Sequence, residues 1–336
     1  MPSITDVAKL AGVSIATVSR YLSDPEAIRD KNRSKVEAAI AETGYAPNTL
    51  AQNFRRGRTG IIMVVLPEVG DPFFSEVMHG IAEVAAEQHY SILVKETETN
   101  TLSLDEYSHI VLSRQADGII LLASICPLPP PRARPSGARK APIVLGFENV
   151  GADFAGVPGV RIDNMAAGRE ATEHLIQLGH NRIGFITGSA SSLLTADRER
   201  GYQAAMEDVG IPVAEGWIVE GNLSLEDSRR ATRDLLQHPQ PPTAIFCAND
   251  EMAMGCLHEI RASGLTVPDD ISVVGFDDIR YAAVTEPPLT TIAQPARKIG
   301  ERAMRRIICA VAGEDMGSDV EIIPHRLVVR GSTAPR

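Results

Sequence analysis

Apolar positions recur at helical spacing over residues 1–45 and at strand spacing after residue 59. Within residues 3–22, SITDVAKLAGVSIATVSRYL, Val7, Ala8 and Ala11 fall on one helical face. Ser3 with Asp6 makes an S-x-x-D capping box that starts this helix, and Gly12 supplies the positive φ that ends it. Val13 reads as a buried anchor. Ser14 caps a second helix over 15–22, which turns Val18 and Leu22 inward and leaves Ile15, Ala16, Ser19 and Arg20 outward. A third amphipathic helix spans 30–42, with Val36, Ala39 and Ile40 inside. Two short helices joined by a tight turn have the layout of a helix-turn-helix, whose second helix enters the DNA major groove. The alternative is an ordinary helix pair of an α protein. The position of the pair ahead of a basic hinge and a separate α/β body favours the first.

From residue 61 the pattern becomes a series of βα units. Strands are expected at 61–67, 91–96, 118–123, 141–147 and 160–164, with helices at 75–89 and 107–115 between the first of them. A second series begins with a helix at Ala166. It continues through strands at 182–188, 217–221, 243–250 and 272–278, and helices from about 196, at 226–237 and at 251–263. Repeated βα units imply two doubly wound parallel sheets, whose ligands bind at the carboxyl ends of strands. Here that is a cleft between the two halves. Residues 126–142, CPLPPPRARPSGARKAP, carry too many prolines for a helix and read as an exposed loop.

Charge sharpens this division. The 336-residue chain has a net charge of −10, but residues 1–60 are at +3 and the remainder at −13. Positive charge is concentrated where phosphate contact is expected, and the acidic body should repel DNA. The four cysteines show no C-x-x-C spacing and read as free core thiols of a cytoplasmic protein. There is no signal peptide and no membrane-length apolar run. The histidines lack metal-ligand spacing, and His174 and His180 read as surface or capping residues. No metal and no cofactor is expected.

The motifs together resemble the LacI/GalR family of bacterial transcription regulators. The matching blocks are TDVAKLAGVSIATVSRYL, the linker YAPN–LAQNFRRGRT, GDPFFSEVMHGI (70–81), IDN (162–164), LGHNRIGFITG (178–188), RERGYQAAM (198–206), PPTAIFCANDEMAMG (241–255), DISVVGFDD (270–278), PPLTTIAQP (287–295) and the closing RGST. DPFFSE, QPPTAIFC, PPLTTIAQP and RGST look most like the cytidine-repressor branch. The resemblance implies an all-α helix-turn-helix head (1–45), a hinge helix (46–59) and an α/β body (60–336) of two doubly wound parallel-sheet subdomains, periplasmic-binding-protein-like. Crossovers near 161, 289 and 322 would divide the body into an N-subdomain of about 61–161 and 290–320 and a C-subdomain of about 162–288 and 323–336.

It also implies positions. Ile15, Ala16 and Arg20 match the family's base-reading residues. Arg20 can donate two hydrogen bonds to guanine, worth roughly 1–3 kcal/mol of discrimination. Ile15 and Ala16 offer apolar contact, and Ser14 and Thr17 are placed for phosphates. In the linker the DNA-binding positions are Asn48, Leu50, Ala51, Phe54 and Arg55. Pro47 and Asn48 suit a helix start and Gly57 its end. About ten residues are too few for a stable isolated helix, so this one is expected to fold only on DNA, beside its mate. Phe54 stands where the family wedges a leucine into the minor groove. An aromatic can wedge too, or can serve as an apolar contact between paired hinges, with Arg55, Arg56 and Arg58 on phosphates.

The implied effector residues are Phe73, Phe74, Phe147, Arg198, Leu223, Asn249 and Asp277. Phe73 and Phe74 start the helix after the first strand, so at least one is expected to face the cleft. Arg198 precedes Gly201 by three, the family spacing for a ligand-gripping arginine. Asn249 and Asp277 end strands, and Leu223 stands where relatives carry an aromatic. Asp250 is expected to cap the helix after it, and Asp278 to cap the segment that leaves its strand. Asp163 and Asn164 either bind ligand or brace the hinge. The set fits a nucleoside and also a sugar, since both stack on aromatics and present hydroxyls. The partners implied are a pseudo-palindromic double-stranded operator, a small polar effector and a second copy of the chain, as a homodimer without the extra C-terminal helix that tetramers need. A free ligand-binding receptor fits the body but not the head. An enzyme would need a nucleophile, phosphate or dinucleotide motif, and the sequence holds none.

Overall fold

The structure, a computed structural model, describes residues 2–45, 58–97, 115–122, 142–147, 156–189, 192–314 and 319–336. The hinge positions Asn48, Leu50, Ala51, Phe54 and Arg55, residues 107–114 of the expected helix and all but the last residue of the proline-rich loop lie outside these residues. The chain divides into two compact units, Met1–Thr59 and Gly60–Arg336.

In the first unit, α1 (Ile4–Ala11) opens on the expected capping box. The Ser3 amide donates to the Asp6 carboxylate at 2.9 Å, and the Asp6 amide donates to the Ser3 hydroxyl at 3.3 Å. Gly12 ends the helix at φ 64°. Ser14 caps α2 (Ile15–Ser23) by accepting from the Thr17 amide at 3.1 Å. α3 (Asp30–Thr43) ends on a left-handed Gly44. Val7, Ala8, Ala11, Val18, Val36 and Ala39 form the core of this unit. Leu22 and Ile40 are only half-buried against it. So is Val13, expected to be fully buried, because it sits in the turn and not on a helix face.

In the second unit two six-stranded sheets form. The first contains β1 (Ile61–Leu66), β2 (Ser91–Glu96), β3 (Gly118–Leu121), β4 (Ile143–Gly146), β5 (Gly159–Arg161) and, from far along the chain, β11 (Val320–Ile322). Its order is β11-β5-β4-β3-β1-β2 and its pairs are parallel. The second contains β6 (Ile183–Thr187), β7 (Ile218–Glu220), β8 (Ala244–Cys247), β9 (Ser272–Asp277), β10 (Thr290–Ala293) and β12 (Arg326–Val328), in the order β12-β10-β9-β8-β6-β7. β12 runs antiparallel to β10 and the other pairs are parallel. Both sheets are doubly wound, with order reversing at β1/β3 and β6/β8, where such folds bind ligands.

α4 (Pro72–Glu87) and α9 (Ala296–Ala312) cover the first sheet. α5 (Asn164–Gln177), α6 (Leu193–Asp208), α7 (Leu225–Leu236) and α8 (Asp250–Ala262) belong to the second. α4 begins three residues earlier than expected, because Asp71 caps it and Pro72 takes the first helical position. α6 likewise starts at Leu193 rather than near 196. The crossover expected at 289 lies four residues later. Thr290 pairs with Val274 and Ala293 with Asp277, so the strand at 290–293 belongs to the second subdomain and the chain returns with α9. The chain also passes from the first sheet to the second between β5 and α5 and between β11 and β12. No helix among the described residues is long and apolar enough to cross a membrane.

Candidate functional site

On the head, Ile15 is 48% exposed, and Ala16 and Arg20 are also exposed on α2. Ala16 and Arg20, four residues apart, share one exposed face of the helix, which offers apolar contact and a bidentate donor together. Ser14 and Thr17 spend their hydroxyls on each other, Oγ to Oγ1 at 2.9 Å, which fixes the start of the helix that presents Arg20.

In the body, the cleft candidates fall into an aromatic and a polar group. Phe73, Phe74 and Phe147 form one cluster, with ring centroids 4.6 to 5.4 Å apart. Both neighbouring phenylalanines are buried. Phe147 from the end of β4 packs between them, and Leu194 and Ile279 from the second subdomain complete the same apolar cluster. Phe73 still borders a cleft of about 710 Å³, whose lining includes Glu76, Asp277, Ile279, Gln294 and Arg297.

The polar group surrounds Arg198. Its guanidinium is 1% exposed and lies 3.6 Å above the Phe276 ring. It donates to Asn164 Oδ1 at 2.9 Å and to the Ala248 carbonyl, and its Nη2 lies 3.9 Å from Asp277 Oδ1. Asn164 therefore braces the arginine, while Asp163 caps α5 through the Ala166 amide at 3.0 Å. Burial pushes the Asp277 carboxyl well above its ordinary range, and the Arg198 charge pulls it back down. Gln294 donates to Asp277 Oδ1 at 2.6 Å, and its own Oε1 is buried without a hydrogen-bond partner. Ser192, ahead of α6, is likewise buried with an unpartnered hydroxyl. Neither Gln294 nor Ser192 stood out in the sequence, because an isolated glutamine or serine beside a helix carries no pattern.

Four assignments change. Asn249, not Asp250, caps α8, accepting from the Met252 amide at 2.9 Å. Its amide nitrogen donates to the Leu223 carbonyl at 3.4 Å, so the side chain is committed within the subdomain. Asp250 is fully buried, accepting from the Thr291 hydroxyl at 2.6 Å and the Ile279 amide at 2.8 Å. Asp278 pairs with Arg330 at 2.6 Å instead of capping the segment that follows it. His180 is buried rather than at the surface, its ring between Thr243 Oγ1 at 2.9 Å and Ser272 Oγ at 3.1 Å, and burial lowers its pKa.

Burial raises Asp250 to about 7, against its hydrogen bonds. A carboxyl protonated more readily folded than unfolded stabilises the fold most at low pH, and that contribution fades as pH rises through about 7. Asp250→Asn keeps an acceptor and adds a donor without titrating. The wild-type melting temperature, relative to this variant, is expected to rise as pH falls from 8 to 5, read by calorimetry. A pH-independent difference would place the titration elsewhere.

Backbone strain gathers at the same place. Phe147 (φ 81°), Asn222 (52°), Leu223 (57°), Asp277 (112°) and Asp278 (56°) are left-handed non-glycine residues just after β4, β7 and β9 or at its last position. Three of them are effector candidates named from the sequence. Strain of this kind persists where the surroundings over-determine it, which marks binding sites. Among the described residues no group of three His, Cys, Asp or Glu side chains is arranged to hold a metal.

Comparisons with known proteins place this architecture. The family profile "Bacterial regulatory proteins, lacI family" matches residues 3–48, and "Periplasmic binding protein-like domain" matches 172–333. The HTH-type transcriptional repressor CytR of Escherichia coli (strain K12) is 37% identical over 331 residues, 98% of this chain and 96% of that protein. Among solved structures, the Lac repressor dimer bound to operator and the anti-inducer ONPF aligns at TM-score 0.85 and 29% identity, covering 99% of each chain. The transcriptional regulator CelR in complex with cellobiose aligns at 0.75 and 30%, covering 99% of this chain and 100% of that one. The chain belongs to the lacI family of bacterial regulatory proteins and is a DNA-binding transcriptional regulator, not an enzyme.

Proposed function

We propose that this regulator is a cytoplasmic repressor. Two copies read a two-fold-symmetric operator, and a neutral nucleoside bound between the subdomains controls the affinity for DNA. The observation that carries the ligand assignment is that Phe73, backed by Phe74 and Phe147, and Asp277, the carboxylate beside Arg198, line one cleft. A base is recognised by apolar and stacking contact, and ribose hydroxyls by a carboxylate and a guanidinium. Closing the cleft on ligand alters the subdomain geometry, and a coupling of about 1–3 kcal/mol is typical of such switches. The second reading is a sugar effector, favoured by the likeness to a regulator solved with cellobiose.

A thermal-shift comparison of cytidine, cytidine monophosphate and cellobiose on the full chain separates these readings. Stabilisation by cytidine alone supports the nucleoside, and stabilisation by cellobiose alone transfers the site to sugars. On the head, Arg20→Ala is expected to cost roughly 1–3 kcal/mol at one guanine of each half-site while leaving binding to unrelated DNA unchanged. Equal losses on both DNAs, measured by fluorescence anisotropy, would reduce Arg20 to a phosphate contact.

A further inference from the structure

The effector-facing carboxylate sits on an improbable piece of backbone. β9 ends at Asp277, and the chain passes through two consecutive left-handed residues, Asp277 at φ 112° and Asp278 at φ 56°, before Ile279 joins the apolar cluster. Neither residue is glycine, so the local sequence disfavours this conformation. What holds it comes from three other parts of the subdomain. From the first turn of α8, Asp250 Oδ2 accepts the Ile279 amide at 2.8 Å, and its Oδ1 is fixed by the Thr291 hydroxyl of β10 at 2.6 Å. After β12, Arg330 donates to Asp278 Oδ1 at 2.6 Å and to the Leu289 carbonyl at 2.8 Å, and its amide donates to Thr290 Oγ1 at 2.9 Å. After β10, Gln294 donates to the Asp277 carboxylate at 2.6 Å. Gly275 completes the arrangement, because a Cβ there would overlap Asp250 Oδ1.

We propose that Asp250 and Arg330 are positioning residues: they pin the Asp277–Asp278 turn in its left-handed form and thereby set where the Asp277 carboxylate faces the effector. The assignment rests on Asp277 contacting the effector. Its physical content is that tethers on either side of Asp277 replace the conformational freedom that glycine would give. Asp250 holds residue 279 and Arg330 holds residue 278. Neither Asp250 nor Arg330 is among the residues that line the cleft, so their removal is felt through Asp277.

An unusual rescue is expected. Arg330→Ala frees Asp278, and the turn relaxes toward ordinary backbone. Cytidine affinity is expected to fall about 10- to 100-fold in isothermal titration, as expected for losing one charge-assisted hydrogen bond. Amide exchange at Ile279 is expected to quicken at least about tenfold. Adding Asp278→Gly supplies a residue that occupies the left-handed region unaided. The double variant should recover cytidine affinity to within about threefold of wild type and slow Ile279 exchange again, although the Arg330–Leu289 hydrogen bond is still missing. A purely structural role for Arg330 predicts no recovery, since glycine would only loosen a damaged segment. Unchanged exchange in Arg330→Ala, or no recovery in the double variant, overturns the proposal. Asp277→Asn is the separate control. If wild type and Asp277→Asn bind cytidine equally, or wild type does not bind it, the effector reading fails. The exchange rates then decide the tether by themselves.

Discussion

Arg198→Met is expected to be the most damaging conservative-volume substitution in the body, costing about 3–5 kcal/mol, the range for removing one partner of a buried ion pair. The guanidinium it removes is stacked on Phe276 and bonded to Asn164 and the Ala248 carbonyl, so methionine recovers the apolar contact and none of the polar ones. Asn164 Oδ1 and the Ala248 carbonyl would lose their donor in a site that excludes water. Asp277, already pushed up by burial, would lose the cation that pulls it down. It would then take up a proton rather than stay buried and charged. Because the variant's folded Asp277 titrates higher still, its deficit against wild type grows as pH rises and shrinks toward pH 5. The single tryptophan, Trp217, is buried in the second subdomain and reports its unfolding in urea. Effector binding should be lost at every pH. A variant that unfolds at the wild-type urea concentration would mean that the arginine is held by the fold without supporting it.

How far these features were legible depends on how local their causes are. The capping box at Ser3 and Asp6, the left-handed Gly12 and the Ser14 cap are settled by side chains within three residues of one another, and all three form as expected. Arg198 could be placed by its spacing to Gly201, but its cage of Asn164, Ala248 and Phe276 comes from three other elements. Asn249 and Asp250 show where reading fails. Either residue can cap a helix, and the choice is made by Ile279 and Thr291, 29 and 41 residues beyond Asp250. The same holds for residues 290–293. Their pattern reads as a buried strand in either sheet, and only the register against β9 assigns them to the second. Phe73 and Phe74 cannot both turn inward from one helix start unless something comes to cover them. Leu194 and Ile279 do so from the other subdomain. Residue types and spacing thus pick out Phe73 and Asp277, which line the cleft, whereas the contacts that hold them there come from distant segments and leave no local pattern.

The glycine three residues after Arg198 has a mechanical role that can be tested. α5 and α6 cross so closely that a Cβ on Gly168 would overlap the Arg198 carbonyl and Cα, and one on Gly201 would overlap the Met165 carbonyl and the Arg169 amide. Backbone meets backbone at both points, so no side chain can swing aside. Overpacking of a tight interface costs about 1–3 kcal/mol, occasionally more. Alanine's better helix propensity returns at most about 1 kcal/mol. The upper part of the range is therefore expected for Gly168→Ala, since the atoms it meets are backbone. The helices must separate, and the residue whose backbone is displaced is Arg198 itself. Effector affinity should therefore fall at least about tenfold, by weakening a charge-assisted hydrogen bond worth about 1.5–3 kcal/mol. Gly300→Ala is the matching control at the crossing of α4 and α9, where a Cβ would overlap the Val77 carbonyl. It should destabilise the body to a similar degree while leaving Arg198 in place, so its effect on affinity should be the smaller. Equal losses of affinity in the two variants, compared by isothermal titration at a temperature where both are folded, would show that general loosening and not the position of Arg198 controls binding.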